Sequence, residues 1–585
     1  MSKTVELTIN DFSGGISDDP RKESLTEFSI SRHFDIFSQP NRLVPYRSLS
    51  SDTNDGSTST GMKQYFVRDF LYSATSSKIY GLGKSASNKT KIVYKSDVSS
   101  ASWTLPTSSE GDGATQNGCL VEYKDYLWGF QGTTQVFKWG TLSGTPSITN
   151  TAGTVGTTYS AITAIAINAA GTGYGVNNIL TISGGSNSAT CIVTSVGSSG
   201  EVTGVTLIDG GSSYTTGSKS TTVNTGSGTG CTITVSTVGN SSTTITSVAQ
   251  GLIAKDDNLY LPYNNILVRV YPSGTVQDQA LKLPTNLKIT SICNYGNYMA
   301  IGCAPKEAYN GVSKVFLWNL TSPDVQEVLD WGEGELRVLE STEGLLVGVS
   351  DRYLNSSTGA GRGSMIIQVY SGGTPQVIKE VFTQALTGKS MPLSKAVRNN
   401  RILFCAKIMT NSAGTEYAEG IWSFGRKNIN YPYTLTLDHI DENVNTNGIQ
   451  SFGTAGNYFF ISHSNDGSID KTRDTATYDF ESVIETLIYN FGDFDKDKRI
   501  EQVRVSFRKL ITGESITAQV KVDDSTSWTT IGTYSTVGST SRTFTCIEST
   551  GANFPSGKEI KFRFISNGGA EITGYNIRAT VLDNI

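Results

Sequence analysis

The chain has 585 residues, a net charge of -5, 17% charged residues, 61 glycines and 26 tyrosines. Such mild acidity excludes a nucleic-acid clamp, which carries a basic stripe, and no apolar run approaches the roughly 20 residues of a membrane-crossing helix. Low charge with abundant Gly, Ser, Thr and Tyr favours strands and tight turns over long helices, whose outer faces need charge.

Residues 1–60 read as an extended arm. "VELTINDFSGGISDDPRKESLTEFSISRHFDIFSQPNRLVPYRSL" has a strand, a Gly-Gly turn, a Pro stop and then an irregular stretch with Pro40 and Pro45. It is too short for a domain, so it is expected to pack on the body or on a neighbouring subunit, with Phe12, Gly14, Gly15, Ile16 and Arg21 as candidate subunit contacts. MSKTVELTIN has no signal-peptide core, and the seven cysteines (119, 191, 231, 293, 303, 405, 546) form no CxxC. Buried thiols in a protein made in a reducing cytosol are expected; a Cys191–Cys231 bridge is the alternative.

From residue 61 a loose repeat begins: a polar turn, an apolar strand, a gap, then a second strand often carrying an aromatic. "KDYLWGFQGTTQVFKWGTL", "DNLYLPYNNILVRVYPSG" and "NNRILFCAKI…EGIWSFGRK" are copies. The turns fall at 69, 125, 257, 297, 344, 400 and 457, with steps of 39–57 residues once 155–247 is set aside. Those steps match four-stranded blades. The pattern predicts an all-β protein with a β-propeller of about seven blades over 61–154 and 248–478.

Residues 155–247 repeat themselves. "ITAIAINAAGTGYGVNNILTISGGSNSATCIVTSVG" and "VTGVTLIDGGSSYTTGSKSTTVNTGSGTGCTITVSTVG" align with Tyr174 on Tyr214 and Cys191 on Cys231, 40 residues apart. This is an inserted two-repeat β module. Its tyrosines either plug the two half-cores or form stacking platforms for a glycan, with Asn168–Asn178 as a polar contact loop. Beyond 479, short alternating segments such as "EQVRVSFRK" predict a C-terminal β-sandwich, with Val503, Val505 and Phe507 inward and Arg504, Ser506 and Arg508 outward.

Catalytic signatures are sparse, so no catalytic residue and no cofactor is assigned. His33, His439 and His463 sit in no metal or hydrolase spacing, and no GxSxG is present. Gly83-Lys84-Ser85 lacks the first glycine of a phosphate loop. Asp493, Asp495 and Asp497 have calcium-loop spacing, but Lys498 and Arg504 stand where Gly and Glu belong, which favours a solvated turn. Propeller glycosidases need flanking carboxylates. Asp351, Glu416, Glu419 and Asp466 are available, yet no pair stands out, and the Asp-box-like "SNDGS" lacks its closing Trp.

"DFSGGISDDPR" (Asp11 to Arg21), followed by "NRLVPYRSL" (Asn41 to Leu49), resembles the opening of the tail nozzle proteins, or tail tubular proteins B, of short-tailed bacteriophages. Gly14, Gly15, Ile16, Ser17 and Pro20 match; Leu43, Pro45 and Arg47 match loosely. The module resembles those of phage tail and decoration proteins, and "IETLIYNFGDFDKDKRIEQVRV" the terminal sandwich of tail-associated proteins. The resemblance implies a virion tail protein, a six-fold homo-oligomeric ring in the DNA conduit, and tail or portal-adaptor proteins as partners. DNA would pass without specific binding, and mild acidity suits that passage. The alternatives are a fibre, adhesin or decoration protein binding host-surface glycan, and a propeller depolymerase.

Overall fold

Polar turns in this chain reverse the backbone tightly. Lys124 and Asp125 (φ 49° and 66°) join Cys119–Tyr123 to Tyr126–Phe130, and Asn399 and Asn400 (φ 49° and 60°) join Lys395–Arg398 to Arg401–Met409. Two consecutive left-handed residues are the two-residue hairpin turn whose twist suits paired strands. A computed structural model describes residues 3–582 except 18, 20, 23, 53–64, 86–89, 99–101, 105–117, 131–134, 144–147, 155–158, 186–188, 212–213, 242–247, 307–310, 354–361, 385–393, 410–416, 441–448, 464–467, 474–477, 479–480 and 547–554. Among the described residues every regular element is a β-strand, and no helix is long and apolar enough to cross a membrane.

Antiparallel four-stranded units follow one another along the chain at 65–104, 119–154, 252–282, 287–333, 335–384 and 395–440. Strands Ile449–Ala455, Tyr458–His463 and Ile469–Thr472 form a further unit. Each unit packs apolar residues on the next: Tyr80 with Trp139, Phe130 with Tyr263, and Tyr260 with Trp318. Leu317 and Trp331 then share a core with Leu336 and Leu346, and Leu403 and Ile421 with Phe452 and Ile461. Val67, Phe70 and Trp103 meet Phe460 and Ile469, so the circle of sheets closes. This is a β-propeller, in which both faces of every small sheet are covered. Each apolar side chain buried in these seams stabilises the ring by about 1.5–3 kcal/mol.

Residues 3–51 do not form a separate arm. Leu49–Ser51 pairs antiparallel with Ile469–Thr472 and completes that unit's fourth strand. Lys3–Ile9 pairs along its whole length with Ile572–Val581, and Glu27–Arg32 pairs with Ser482–Thr486. The last two pairings belong to a sandwich. One of its sheets runs through Lys3–Ile9, Ile572–Val581, Lys498–Phe507 and Ser541–Thr545. The other runs through Glu27–Arg32, Ser482–Thr486, Ile560–Asn567, Ser515–Val522 and Thr529–Tyr534. Val503, Val505 and Phe507 face Ile516, Ala518 and Phe562 in its core, while Arg504 and Arg508 are exposed. Single bridges, Thr383 to Ile408 and Arg32 to Leu437, tie neighbouring sheets together.

The inserted module keeps its strands to itself. Tyr159–Thr172, Thr229–Ser241, Gly217–Val223, Ile179–Ile182, Ala189–Val196 and Val202–Asp209 lie side by side in that order. Exchanging the two repeats reverses this order onto itself, so a pseudo-two-fold axis passes between Ile179–Ile182 and Gly217–Val223. The first strand of each repeat pairs with the last strand of the other. Neither repeat therefore completes its sheet alone.

Candidate functional site

At four of the seams between neighbouring propeller units the first strands meet: Tyr65–Ser73 with Cys119–Tyr123 and with Ile449–Ala455, Leu287–Tyr295 with Glu335–Thr342, and Lys395–Arg398 with Ile449–Ala455, which places these strands toward the inside of the ring. Hydroxyls there stitch unit to unit. Ser451 and Ser462 Oγ both donate to Val67 O at 2.8 Å, and Ser291 Oγ donates to Leu339 O at 3.1 Å while accepting from Leu339 N. Charged residues stand beside them. Lys288 Nζ is 2.8 Å from Glu335, Arg337 bridges Glu335 and Asp351, and Lys395 Nζ is 2.9 Å from Glu340. Lys395 also donates to the carbonyls of Ile292 and Leu339 at 2.7 and 2.6 Å.

Burial pushes the Glu335 carboxyl up, but Arg337 and Lys288 outweigh it and hold the group below the usual carboxylate range. At Asp351 burial wins over Arg337, and the pKa rises. Among the described residues no cation is paired with Asp69. It accepts from Leu120 N at 2.8 Å and Gln250 Nε2 at 3.3 Å, and burial lifts it to about 7. Glycosidic cleavage needs two carboxylates placed about a bond. Here Glu335, Glu340 and Asp351 are each engaged by a cation. Glu419 is buried and accepts from Ile449 N at 2.8 Å; Glu416 and Asp466 lie outside the described residues.

The N-terminal candidates sit at the junction of propeller and sandwich. Phe12 is 1% exposed, 6.3 Å from the Tyr575 ring. Gly15 (φ 70°) pairs in parallel with Glu27, and a Cβ there would fall 2.2 Å from Thr434 Cγ2, so only glycine fits both the backbone and the space. Thr434 Oγ1 donates to Ser13 O at 2.5 Å. Gly14 lies against Thr26 and Glu27, and Ile16 is buried. As subunit contacts, Phe12 and Ile16 are already spent inside this chain; Arg21 is exposed and pairs with Glu559 at 3.2 Å. Leu43 bridges Ile572, and the Arg47 guanidinium lies 5.4 Å from the centre of the Tyr458 ring. Pro20 lies outside the described residues.

Sequence reasoning missed a buried polar knot at the same junction. Arg401 Nη1 donates to Tyr46 O–H at 2.9 Å and lies 3.5 Å from Asp35 and 3.7 Å from Asp438. Tyr46 and Ser423 donate to Asp438 at 3.2 and 2.7 Å. Burial raises Asp438 to about 6 against the pull of Arg401. Its members come from distant parts of the chain, and no local spacing links them.

In the module, both tyrosines are buried. Tyr174 O–H accepts from Cys231 N at 3.0 Å; Tyr214 O–H accepts from Ala189 N at 2.9 Å and donates to Ile182 O. Each tyrosine reaches into the other repeat, which serves the core rather than a stacking platform. Cys191 and Cys231 lie in that core with no disulfide between them. Asn168 bonds Ser218 and Thr232 at 3.1 and 2.9 Å. Near Asp493, Lys496 lies 3.7 Å away, and Lys498 donates to the Asp493 and Lys558 carbonyls. Among the described residues no group of three His, Cys, Asp or Glu is placed to hold a metal ion. Gly83-Lys84-Ser85 ends the strand Lys78–Ser85, away from any helix start.

No family model and no curated protein matches the chain. Solved structures with a detectable likeness include the phage phi92 endosialidase, at 11% identity and a TM-score of 0.30, covering 59% of this chain and 62% of that one. BamB from Moraxella catarrhalis gives 9%, 0.29, 67% and 79%, and the Dos1 propeller 10%, 0.34, 73% and 94%. Likeness this low says nothing of the activity or partners of this chain.

Proposed function

We propose that the protein is a structural subunit of a bacteriophage tail. In this reading a seven-bladed propeller and a sandwich form one rigid frame, which assembles with copies of itself into a nozzle-like ring around the DNA path. The module 155–247 is carried outward on that frame. The supporting observation is the place of the segment that resembles tail nozzle proteins: Phe12 packs on Tyr575 of the sandwich and Gly15 fits closely against Thr434 of the propeller. The mutual neutralisation of charges on the inner strands also suits a frame better than a reaction centre. Native mass spectrometry of the purified chain, with cryo-EM of particles, tests this: a six-copy ring supports it, and a lone monomer absent from particles refutes it.

A second reading, a tail component that binds host-surface glycan, draws on one feature. The module presents hydrogen-bonding side chains on exposed strands, with Ser183 and Ser220 at 2.7 Å and Thr181 and Asn224 at 2.7 Å. Saturable binding to envelope polysaccharide that disappears on deleting 155–247 would favour it.

A further inference from the structure

His33 stands where three parts of the molecule meet. Its backbone is left-handed (φ 61°), rare for a residue with a side chain. Its N–H donates to Leu437 O of the 395–440 unit at 3.2 Å, and its carbonyl accepts from Tyr46 N at 2.8 Å and from Ser482 Oγ of the sandwich at 3.2 Å. The buried ring meets His439 edge-on, with centroids 6.5 Å apart. His439 in turn packs on Tyr46 at 5.0 Å and on Phe459, in the 449–472 unit, at 4.6 Å. Two of the three histidines in the chain thus sit at the joint of propeller, sandwich and N-terminal segment.

The charges around the pair do not suit a proton. Arg32 adjoins His33, and Arg398 and Arg401 face His439. The nearby carboxylates, Asp35 and Asp438, already face Arg401 at 3.5 and 3.7 Å. An imidazolium here would be a buried cation among cations, which is costly. By contrast the third histidine, His463, faces Asp470 at 3.3 Å.

We propose that the His33–His439 pair is an acid-released latch: in mild acid the two rings take up protons when the segment 27–51 parts from propeller and sandwich, which favours its release. Burial, then Arg32, holds His33 down at about 3, and burial with His33 and the two arginines holds His439 well below its usual value. The neutral pair's contribution is therefore complete above the unfolded value of about 6.5 and is lost as pH falls toward the folded one. Asp438 has the opposite sign. Its raised pKa makes the ionised form the costly one, so its protonation favours the folded state.

Hydrogen–deuterium exchange of the full chain between about pH 7.5 and pH 5, corrected for intrinsic rates, tests the latch. Peptides covering 27–51 and 434–440 should lose protection by about tenfold or more, one pKa unit's worth of linkage per protonated ring. Peptides from 159–241 should not change. His33→Asn tolerates the left-handed backbone, and His439→Phe fits beside Tyr46 and Phe459; each should blunt the loss, while His463→Gln should leave it intact. If one variant fails to fold, the other two decide. Unchanged protection in the wild type, an equal loss in the His33 and His439 variants, or abolition of the loss by His463→Gln would overturn the proposal.

Discussion

Tyr214 is 1% exposed and bonds two backbone groups of the opposite repeat. Tyr214→Phe strands a buried N–H and a carbonyl, which costs about 1–3 kcal/mol; the amide of Ala189 should then exchange faster while glycan binding, if present, is unaffected. At the closing seam, Lys95 lies 2.7 Å from Asp52, both at most 1% exposed, and Trp103 Nε1 donates to the same oxygen at 3.0 Å. Lys95→Met leaves Asp52 buried without its cation, a loss of about 3–5 kcal/mol, seen as a lowered first thermal transition. Asp69 carries a pH signature: its pKa near 7 lies above the unfolded value, so its own contribution increasingly favours the folded state as pH falls from about 8 to about 5. Asp69→Asn should flatten that slope in thermal scans across the same range. Some of this scale was legible in the sequence. The turn pairs Lys124–Asp125 and Asn399–Asn400, and the inward Val503, Val505 and Phe507, are set by local spacing. The contacts of Tyr174, and the meeting of Asp35, Tyr46, Arg401 and Asp438, depend on which strands come together in space.

At the scale of elements, hairpins and the 40-residue repeat announce themselves because each is completed within a few tens of residues. The N-terminal strands do not. Leu49–Ser51 is three residues long, without a period to detect, and its partner Ile469–Thr472 lies about 420 residues further on. The limits expected at 60 and 479 therefore mark changes of pattern rather than the edges of sheets. The two kinds of element differ in a testable way. Replacing 155–247 with a short Gly-Ser linker should leave the propeller's thermal transition within a few degrees, since the module's strands pair only among themselves. Removing residues 3–51 strips one strand from the last unit and one from each sandwich sheet, exposing unpaired edges. That chain should aggregate, as size-exclusion chromatography would show.

At the scale of the molecule, the early segment 3–51 pairs with strands of both propeller and sandwich, and the module lies in the chain between two propeller units. Charges at the inner strands answer one another instead of converging on an open position. This arrangement suits a part that must hold its shape. The measurement that tests this most directly is the copy number and location of the chain in assembled particles, by cryo-EM with native mass spectrometry of the free protein. The account expects a closed ring of six in the tail. A monomer or trimer that releases reducing sugar from host polysaccharide would contradict it.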